Sequence, residues 1–438
     1  MELKKIFGNS MWQISEKILT MLVSIIATSL IARYLGPEEY GMVNYIISVV
    51  SLFTAFSTLG MQELTIKDII NEEDSKENIL GTSFVIRIIG GIVLIIISQI
   101  TLYILNGPNA MYQILGIIMG SCMLFKSFEV IEYYLQAQMN LKTSAIIRFV
   151  TTIVVAISRI LVVAFDGGVI GFTFTYLLDA IIAGLLFWIY YKNKVTKEKW
   201  KIEKKYAKDI LKRCWYIAIA GLFGTIYMRI DQIMLGSMLV DTIENGIYSA
   251  AVKIAEMWYF VPMAIITSFQ PSITEFKKTK SRKEYSRRVQ QLYDIVAVVG
   301  IFFGISIMLF GGIAVNILYG SEYAGATNVL RISVWAGLFA TLGSARSIWL
   351  INENLQRYTI VYTITGAIVN IVLNYIMIPS FGAVGAAITT LISQFAANIL
   401  ALFFFKDTKK SSIMLLKSIF LNKTLINALK RIKDYLRR

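Results

Sequence analysis

Residues 224–238 read GTIYMRIDQIMLGSM, and in this otherwise apolar stretch Arg229 and Asp231 stand two positions apart. Two residues on an α-helix subtend about 200°, so the two charges face opposite ways and each needs its own partner or its own water. The neighbouring polar residues assign the sides. Gly221, Thr225, Arg229, Gln232 and Gly236 recur at steps of four, four, three and four, a single stripe on a helix; Asp231 lies off it, with Tyr227 and Gly224. A second stripe runs through Ser10, Gln13, Lys17, Thr20, Ser24 and Thr28, a third through Arg148, Thr152 and Arg159, and a fourth through Asn245, Ser249, Lys253 and Glu256.

Ionisable side chains are costly inside a bilayer, so cations on polar faces of apolar segments mark a hydrated path. Lysine and arginine there suit an anion, and the fixed donor fork of arginine suits phosphate. Lys17, Arg229, Lys253, Arg159 and Arg148 are the candidate substrate-binding cations. Asp231, Glu256, Asp179 and Asp294 are candidate countercharges or protonatable coupling groups, and the sequence leaves these two roles open. Lys126 with Glu129, and Lys253 with Glu256, have the i, i+3 spacing of structural ion pairs. Arg87, Arg148 and Arg346 lie close enough to span ends to snorkel.

The elements that must hold these residues are membrane helices. The 438-residue chain is 56% hydrophobic and 16% charged, with apolar runs of twenty residues or more. Backbone groups in lipid must pair internally, and the runs are too long for barrel strands of ~10 residues, so the fold class is all-α, integral membrane. Twelve spans are predicted, at 9–34, 41–62, 79–105, 111–136, 143–165, 168–191, 213–236, 246–271, 289–310, 327–351, 358–379 and 382–405. Histidine is absent and Cys122 and Cys214 stand isolated, which argues against a Cys/His metal centre or a disulfide framework, and no cofactor is expected. The first run is too long for a signal peptide core and carries Lys17, so it is read as the first span.

Lysine and arginine crowd alternate loops. The connection after span 6 carries ten of them from Lys192 to Arg213, and the one after span 8 seven from Lys277 to Arg288, whereas 106–110, 166–168, 241–245 and 379–382 have none. Both termini are therefore expected to be cytoplasmic. The net charge of +15 reflects this topology and implies no nucleic-acid partner. In the tail, Ile413, Leu416, Phe420, Leu425, Leu429, Ile432 and Leu436 recur at helical spacing among lysines and arginines, the pattern of a helix lying on anionic lipid.

An internal repeat organises the whole. A shift of 205 lays span 1 on span 7 and span 2 on span 8; a shift of 215 aligns YLQAQMNLKTS (134–144) with WLINENLQRYT (349–359) and DGGVIGFTFTYLL (166–178) with FGAVGAAITTLIS (381–393). Two six-span halves follow, at 1–191 and 213–405, joined by a basic linker at 192–212 and followed by a tail at 406–438. Halves with an even number of spans share one orientation, are related by an axis along the membrane normal, and are expected to enclose a substrate cavity. The second shift places Arg148, Thr152 and Arg159 on Thr363, Ala367 and Asn374.

The segments IARYLGPEEYGMVNY (31–45), RIDQIMLGSM (229–238), NGIYSAAVKIAEMWYFVP (245–262) and FQPSITEF (269–276) together resemble the polysaccharide biosynthesis and export family. These are the O-antigen, capsule and teichuronic-type repeat-unit flippases of the multidrug/oligosaccharidyl-lipid/polysaccharide (MOP) superfamily. The resemblance spans nearly the whole chain. It implies alternating access by two lobes that carry an undecaprenyl-pyrophosphate-linked oligosaccharide across a bacterial or archaeal cytoplasmic membrane, with spans 1, 2, 7 and 8 flanking the cavity. Lys17, Arg229 and Lys253 fall on those spans; Arg148 and Arg159 do not. Glycosyltransferases and a polymerase are the protein partners such a role implies.

Bare hydrocarbon would cost a pyrophosphate tens of kcal/mol, which is why a wet basic groove suits it. An anion moving outward runs downhill by about 2.3 kcal/mol per charge per 100 mV, so ion coupling is allowed without being required. The rivals are a lipid II flippase, a drug or cation antiporter of the same superfamily, a membrane polysaccharide polymerase and a scaffold. An antiporter would favour an acidic or aromatic pocket, a polymerase would need a large outer loop or a cytosolic domain, and a scaffold leaves the buried cations unexplained.

Overall fold

Apolar runs punctuated by glycine, proline and short polar turns fold into helices, with no strand among the described residues. The computed structural model describes residues 2–196 and 198–420, with side chains from Lys17 onward. Ser10 and Gln13 of the first stripe, and Leu425, Leu429, Ile432 and Leu436 of the tail, lie outside the described side chains.

The first six spans form α1 (Glu2–Leu52), α2 (Thr54–Thr58), α3 (Met61–Asn71), α4 (Lys76–Asn106), α5 (Ala110–Phe125), α6 (Val130–Ala137), α7 (Leu141–Ala164) and α8 (Gly168–Lys194). The rest form α9 (Lys204–Met238), α10 (Ile243–Glu256), α11 (Phe260–Thr279), α12 (Arg282–Tyr319), α13 (Ala326–Asn352), α14 (Arg357–Phe395) and α15 (Lys409–Phe420). Among the described residues, ten stretches are long and apolar enough to cross a bilayer. Two of them, in α1 and α14, run through a non-helical glycine, Gly36 (φ 72°) or Gly382 (φ 52°), so each holds two spans and the total is the expected twelve. Exposed Ile146, Val150, Val154, Ile157 and Leu161 line one face of α7 at steps of four, four, three and four, a face that suits lipid. The protein is a multi-pass membrane protein.

The glycine breaks are required by backbone geometry, because a left-handed φ is strained for any residue with a Cβ. At Gly382 a Cβ would also lie 2.4 Å from Glu244 Oε2, a carboxylate already accepting from the Ala383 amide at 2.6 Å and so capping the helix that restarts there. Gly382→Val is expected to destabilise the protein by about 1–3 kcal/mol, seen as a fall in thermal midpoint in detergent. An unchanged midpoint would mean that the turn carries no strain.

The chain divides into two compact units, one ending at Arg229 and the next beginning at Ile230. The division falls inside α9, downstream of the lysine-rich stretch at 192–212. The interactions of that stretch explain why. Trp200 sits among Phe84, Trp188 and Tyr191, with ring centroids 5.3, 5.1 and 5.7 Å away. Glu203 N donates to Thr82 Oγ1 at 2.9 Å, and Arg213 donates through both terminal nitrogens to Asp68, at 3.0 and 2.6 Å. A bidentate, charge-assisted pair of this kind fixes the start of α9 to the first unit.

In the second unit α12, α13 and α14 surround a core that includes Tyr293, Val296, Leu342, Trp349 and Leu402. The start of the tail departs from the sequence expectation, since α15 docks on protein. Ser411, Ser412, Met414, Leu415 and Ser418 are buried; Ser412 Oγ donates to Ile399 O at 2.8 Å, and Ser411 Oγ lies 3.0 Å from the Tyr293 hydroxyl. The buried serines are satisfied locally, so a helix with polar residues on its inner face can pack against the bundle. Ile413 and Phe420 stay outward, along with Lys409 and Lys417.

Candidate functional site

Within the first unit α1 packs along α7 and also meets α8, which brings the Lys17 and Arg159 stripes to one cavity of about 420 Å³. Lys17, Thr20, Ser24, Thr152, Arg159, Tyr176 and Asp179 are among its lining residues. Arg159 is 7% exposed, and its placement is tightly specified. Nη1 donates to Thr28 Oγ1 at 2.8 Å and Nε to Thr175 Oγ1 at 3.4 Å, while the guanidinium lies 5.6 Å from the Phe172 ring centroid and 5.1 Å from that of Tyr176. Aromatic faces stabilise a cation without neutralising it. Nη2 has no acceptor among the described residues, so one donor group of a permanently charged side chain remains for a ligand. Lys17, which is exposed, adds a second cation, and Asp179 brings one carboxylate to the same walls.

Arg148 shares the stripe of Arg159 but not its surroundings. Its Nη2 lies 3.0 Å from Glu129 and 2.5 Å from Glu132, and Glu129 also pairs with Arg87 at 2.8 Å. Arg87, 0% exposed, donates further to the Tyr133 hydroxyl. Two arginines and two glutamates thus form a part-buried structural network with Arg87 at its buried end, which removes Arg148 from the candidate ligands and shows that Arg87 does not snorkel. Glu129 is taken by arginines, so the predicted Lys126–Glu129 pair does not form. Arg346 does not snorkel either: it is buried, donates to Ala397 O and Asn398 O at 3.3 and 3.2 Å, and lies over Tyr362. Those carbonyls belong to a π-helical turn, Ala396–Leu400, whose shifted bonding leaves them available. Glu129→Gln, which takes the carboxylate partner from buried Arg87 while Arg148 keeps Glu132, is expected to cost about 3–5 kcal/mol and to lower the thermal midpoint sharply. A midpoint within a degree of wild type would contradict the network.

Asp231 faces away from the Arg229 stripe, into the second unit, as its angular position requires. It is 5% exposed and accepts from the Tyr248 hydroxyl at 2.7 Å, Asn374 Nδ2 at 2.6 Å and Thr390 Oγ1 at 2.6 Å. All three partners are neutral, and no cation forms an ion pair with it among the described residues. Asp294 is also buried, but at the docking face of α15. Gln290 Nε2 donates to its Oδ1 at 2.8 Å and to Met414 O at 3.0 Å, so Asp294 is part of the seat of α15. Arg229 is half-buried on α9, Lys253 half-buried on α10, and Glu256 exposed at the end of α10.

The two units use one design with opposite charge. The shift of 215 carries Arg159 to Asn374 and Thr175 to Thr390 (159 + 215 = 374; 175 + 215 = 390). In the first unit the junction of α1, α7 and α8 centres on a cation held by Thr28 and Thr175. In the second, the junction of α9 with the two arms of α14 centres on an anion held by Asn374 and Thr390. Thr175, Thr390 and Tyr248 do not stand out in the sequence; the repeat arithmetic, applied to Arg159 and its neighbours, is the signal that finds the two threonines.

Twelve spans in two six-span halves, with charged groups held at matching three-helix junctions, define a transporter-type membrane fold. Its particular family follows from comparison. A profile described as polysaccharide biosynthesis protein matches residues 6–277, and the chain belongs to that family. A second profile, MatE, matches residues 217–376. The capsular polysaccharide biosynthesis protein CapF of Staphylococcus aureus is 22% identical over 89% of this chain and 96% of its own length. The probable low-salt glycan biosynthesis flippase Agl15 of Haloferax volcanii is 24% identical over 51% of this chain and 47% of its own length. The solved lipid II flippase MurJ, in an inward closed conformation, superposes with a TM-score of 0.74 at 16% identity over 96% of this chain and 93% of its own, a likeness of fold.

Proposed function

We propose that the protein is a flippase, a transporter and not an enzyme. It moves a lipid-linked oligosaccharide of the undecaprenyl-pyrophosphate type from the cytoplasmic to the outer leaflet by alternating access. Lys17 and Arg159 hold the pyrophosphate, and the lipid tail stays in the bilayer. The observation that carries the reading is the cationic cavity of the first unit, where Arg159 keeps Nη2 for a ligand. Family membership and the similarity to CapF and Agl15 support glycan export as the process served. Asp231 is the coupling group of this scheme. Its carboxylate is buried, accepts from three neutral donors and forms no ion pair among the described residues, which leaves its charge for a coupling cation.

The test is reconstitution. Proteoliposomes carrying a fluorescent polyprenyl-pyrophosphate glycan on one leaflet are expected to expose it on the other at a rate that protein accelerates. The same glycan on a neutral lipid is expected to stay. Equal movement of both lipids, or no acceleration, would reject the proposal.

A further inference from the structure

A second cavity of the first unit, about 580 Å³, opens where the α6–α7 turn meets the end of α8, away from Lys17 and Arg159. Tyr134, Gln138, Asn140, Lys142, Tyr190 and Lys194 contribute its polar groups. Asn140 is held on both sides. Its Oδ1 accepts from Thr143 at 2.9 Å and its Nδ2 donates to the Tyr190 hydroxyl at 3.1 Å, which leaves the hydroxyl proton of Tyr190 for another acceptor. Gln138 Nε2 donates to Glu73 Oε1 at 3.0 Å. Met139, between Gln138 and Asn140, has a left-handed backbone (φ 52°), and strain of this kind in a non-glycine residue persists only where the surroundings hold it.

The cavity stands at the head of an apolar track. Counting back four residues from Ile146 along the lipid-suited face of α7 reaches Lys142, and on α8 exposed Leu185 and Ile189 lie within nine residues of Lys194. Two lysines and a tyrosine hydroxyl above two apolar stripes match an anionic phosphate above its own acyl chains. We propose that this cavity binds the phosphate headgroup of an anionic membrane lipid, seated between the ends of α7 and α8. Lys142 and Lys194 supply the charge and Tyr190 a donor. The site is independent of the passenger's path.

Native mass spectrometry of the full chain in neutral detergent tests it, with phosphatidylglycerol, phosphatidylcholine and inorganic pyrophosphate as probes. Phosphatidylglycerol is expected to bind in preference to phosphatidylcholine, and K142Q/K194Q to weaken it about tenfold, the loss expected for charge-assisted hydrogen bonds. Tyr190→Phe, which keeps the packing, is expected to give a smaller loss. K278Q/K280Q, which removes the same charge elsewhere, is expected to bind as wild type does. Undiminished binding by K142Q/K194Q, or an equal loss in K278Q/K280Q, would overturn the site. Displacement of the lipid by equimolar inorganic pyrophosphate would overturn the assignment to a lipid.

Discussion

Arg159→Met is expected to cut glycan flipping by about 10- to 100-fold in proteoliposomes while leaving a folded protein of near wild-type thermal midpoint. A hydrogen bond from a charged donor contributes about 1.5–3 kcal/mol, and this one is offered to the passenger through Nη2. Stability is expected to hold because a buried arginine replaced by an apolar side chain of similar length sheds a desolvation cost along with its contacts. Thr175, one of its two threonine partners, already donates to Phe172 O at 2.7 Å and is not stranded. Arg159→Lys keeps the charge and loses the fork, so it is expected to recover part of the rate. Lys17→Gln should slow flipping less, since Lys17 is exposed where Arg159 is buried and held. A normal rate for Arg159→Met would remove the residue from the passenger's path. A collapse in stability would make it a structural cation like Arg87.

Asp231 has the second large effect. Asp231→Ala removes the acceptor of three donors at once. Thr390 can fall back on Ala386 O, 2.8 Å away, and Asn374 on Asn370 Oδ1 at 3.0 Å, but the Tyr248 hydroxyl is left in a buried site with only Thr390 within reach, at 3.2 Å. A loss of about 1–3 kcal/mol is expected, measured as a lowered thermal midpoint. Asp231→Asn separates stability from coupling. It turns an acceptor pair into one acceptor and one donor, so it destabilises too, but the protein that folds carries no titratable group there. Flipping by Asp231→Asn is expected to lose its response to an imposed proton or sodium gradient and keep a basal rate. A variant that still responds as wild type does would show that coupling, if present, resides elsewhere.

The contrast between Arg148 and Arg159 shows where sequence reading stops. Both lie on one face of α7, eleven residues apart, and angular position cannot separate them. What separates them is Glu129 and Glu132, which a different span brings beside Arg148 and not beside Arg159. Pairing between distant spans leaves no periodic trace. The twelve spans were legible because lipid demands long apolar helices; the breaks at Gly36 and Gly382 fall in or beside the gaps between predicted spans, but the left-handed glycines themselves come from the structure. Rotation alone turns Asp231 away from Arg229, whereas the depth and partners of Asp294 depend on α15. That helix buries Ser411, Ser412 and Ser418 together with Met414 and Leu415 and leaves Ile413 and Phe420 outward, so apolar residues lie on both sides and the pattern did not reveal which side meets protein.

The central claim is that Lys17 and Arg159 bind an anionic passenger, and equilibrium binding tests it most directly. Calorimetric titration of the purified protein with a short-chain polyprenyl pyrophosphate should show saturable binding that Arg159→Met weakens by at least about tenfold and that the neutral alcohol does not reproduce. Equal affinity for pyrophosphate and alcohol, or an Arg159→Met protein that binds as tightly as wild type, would contradict it.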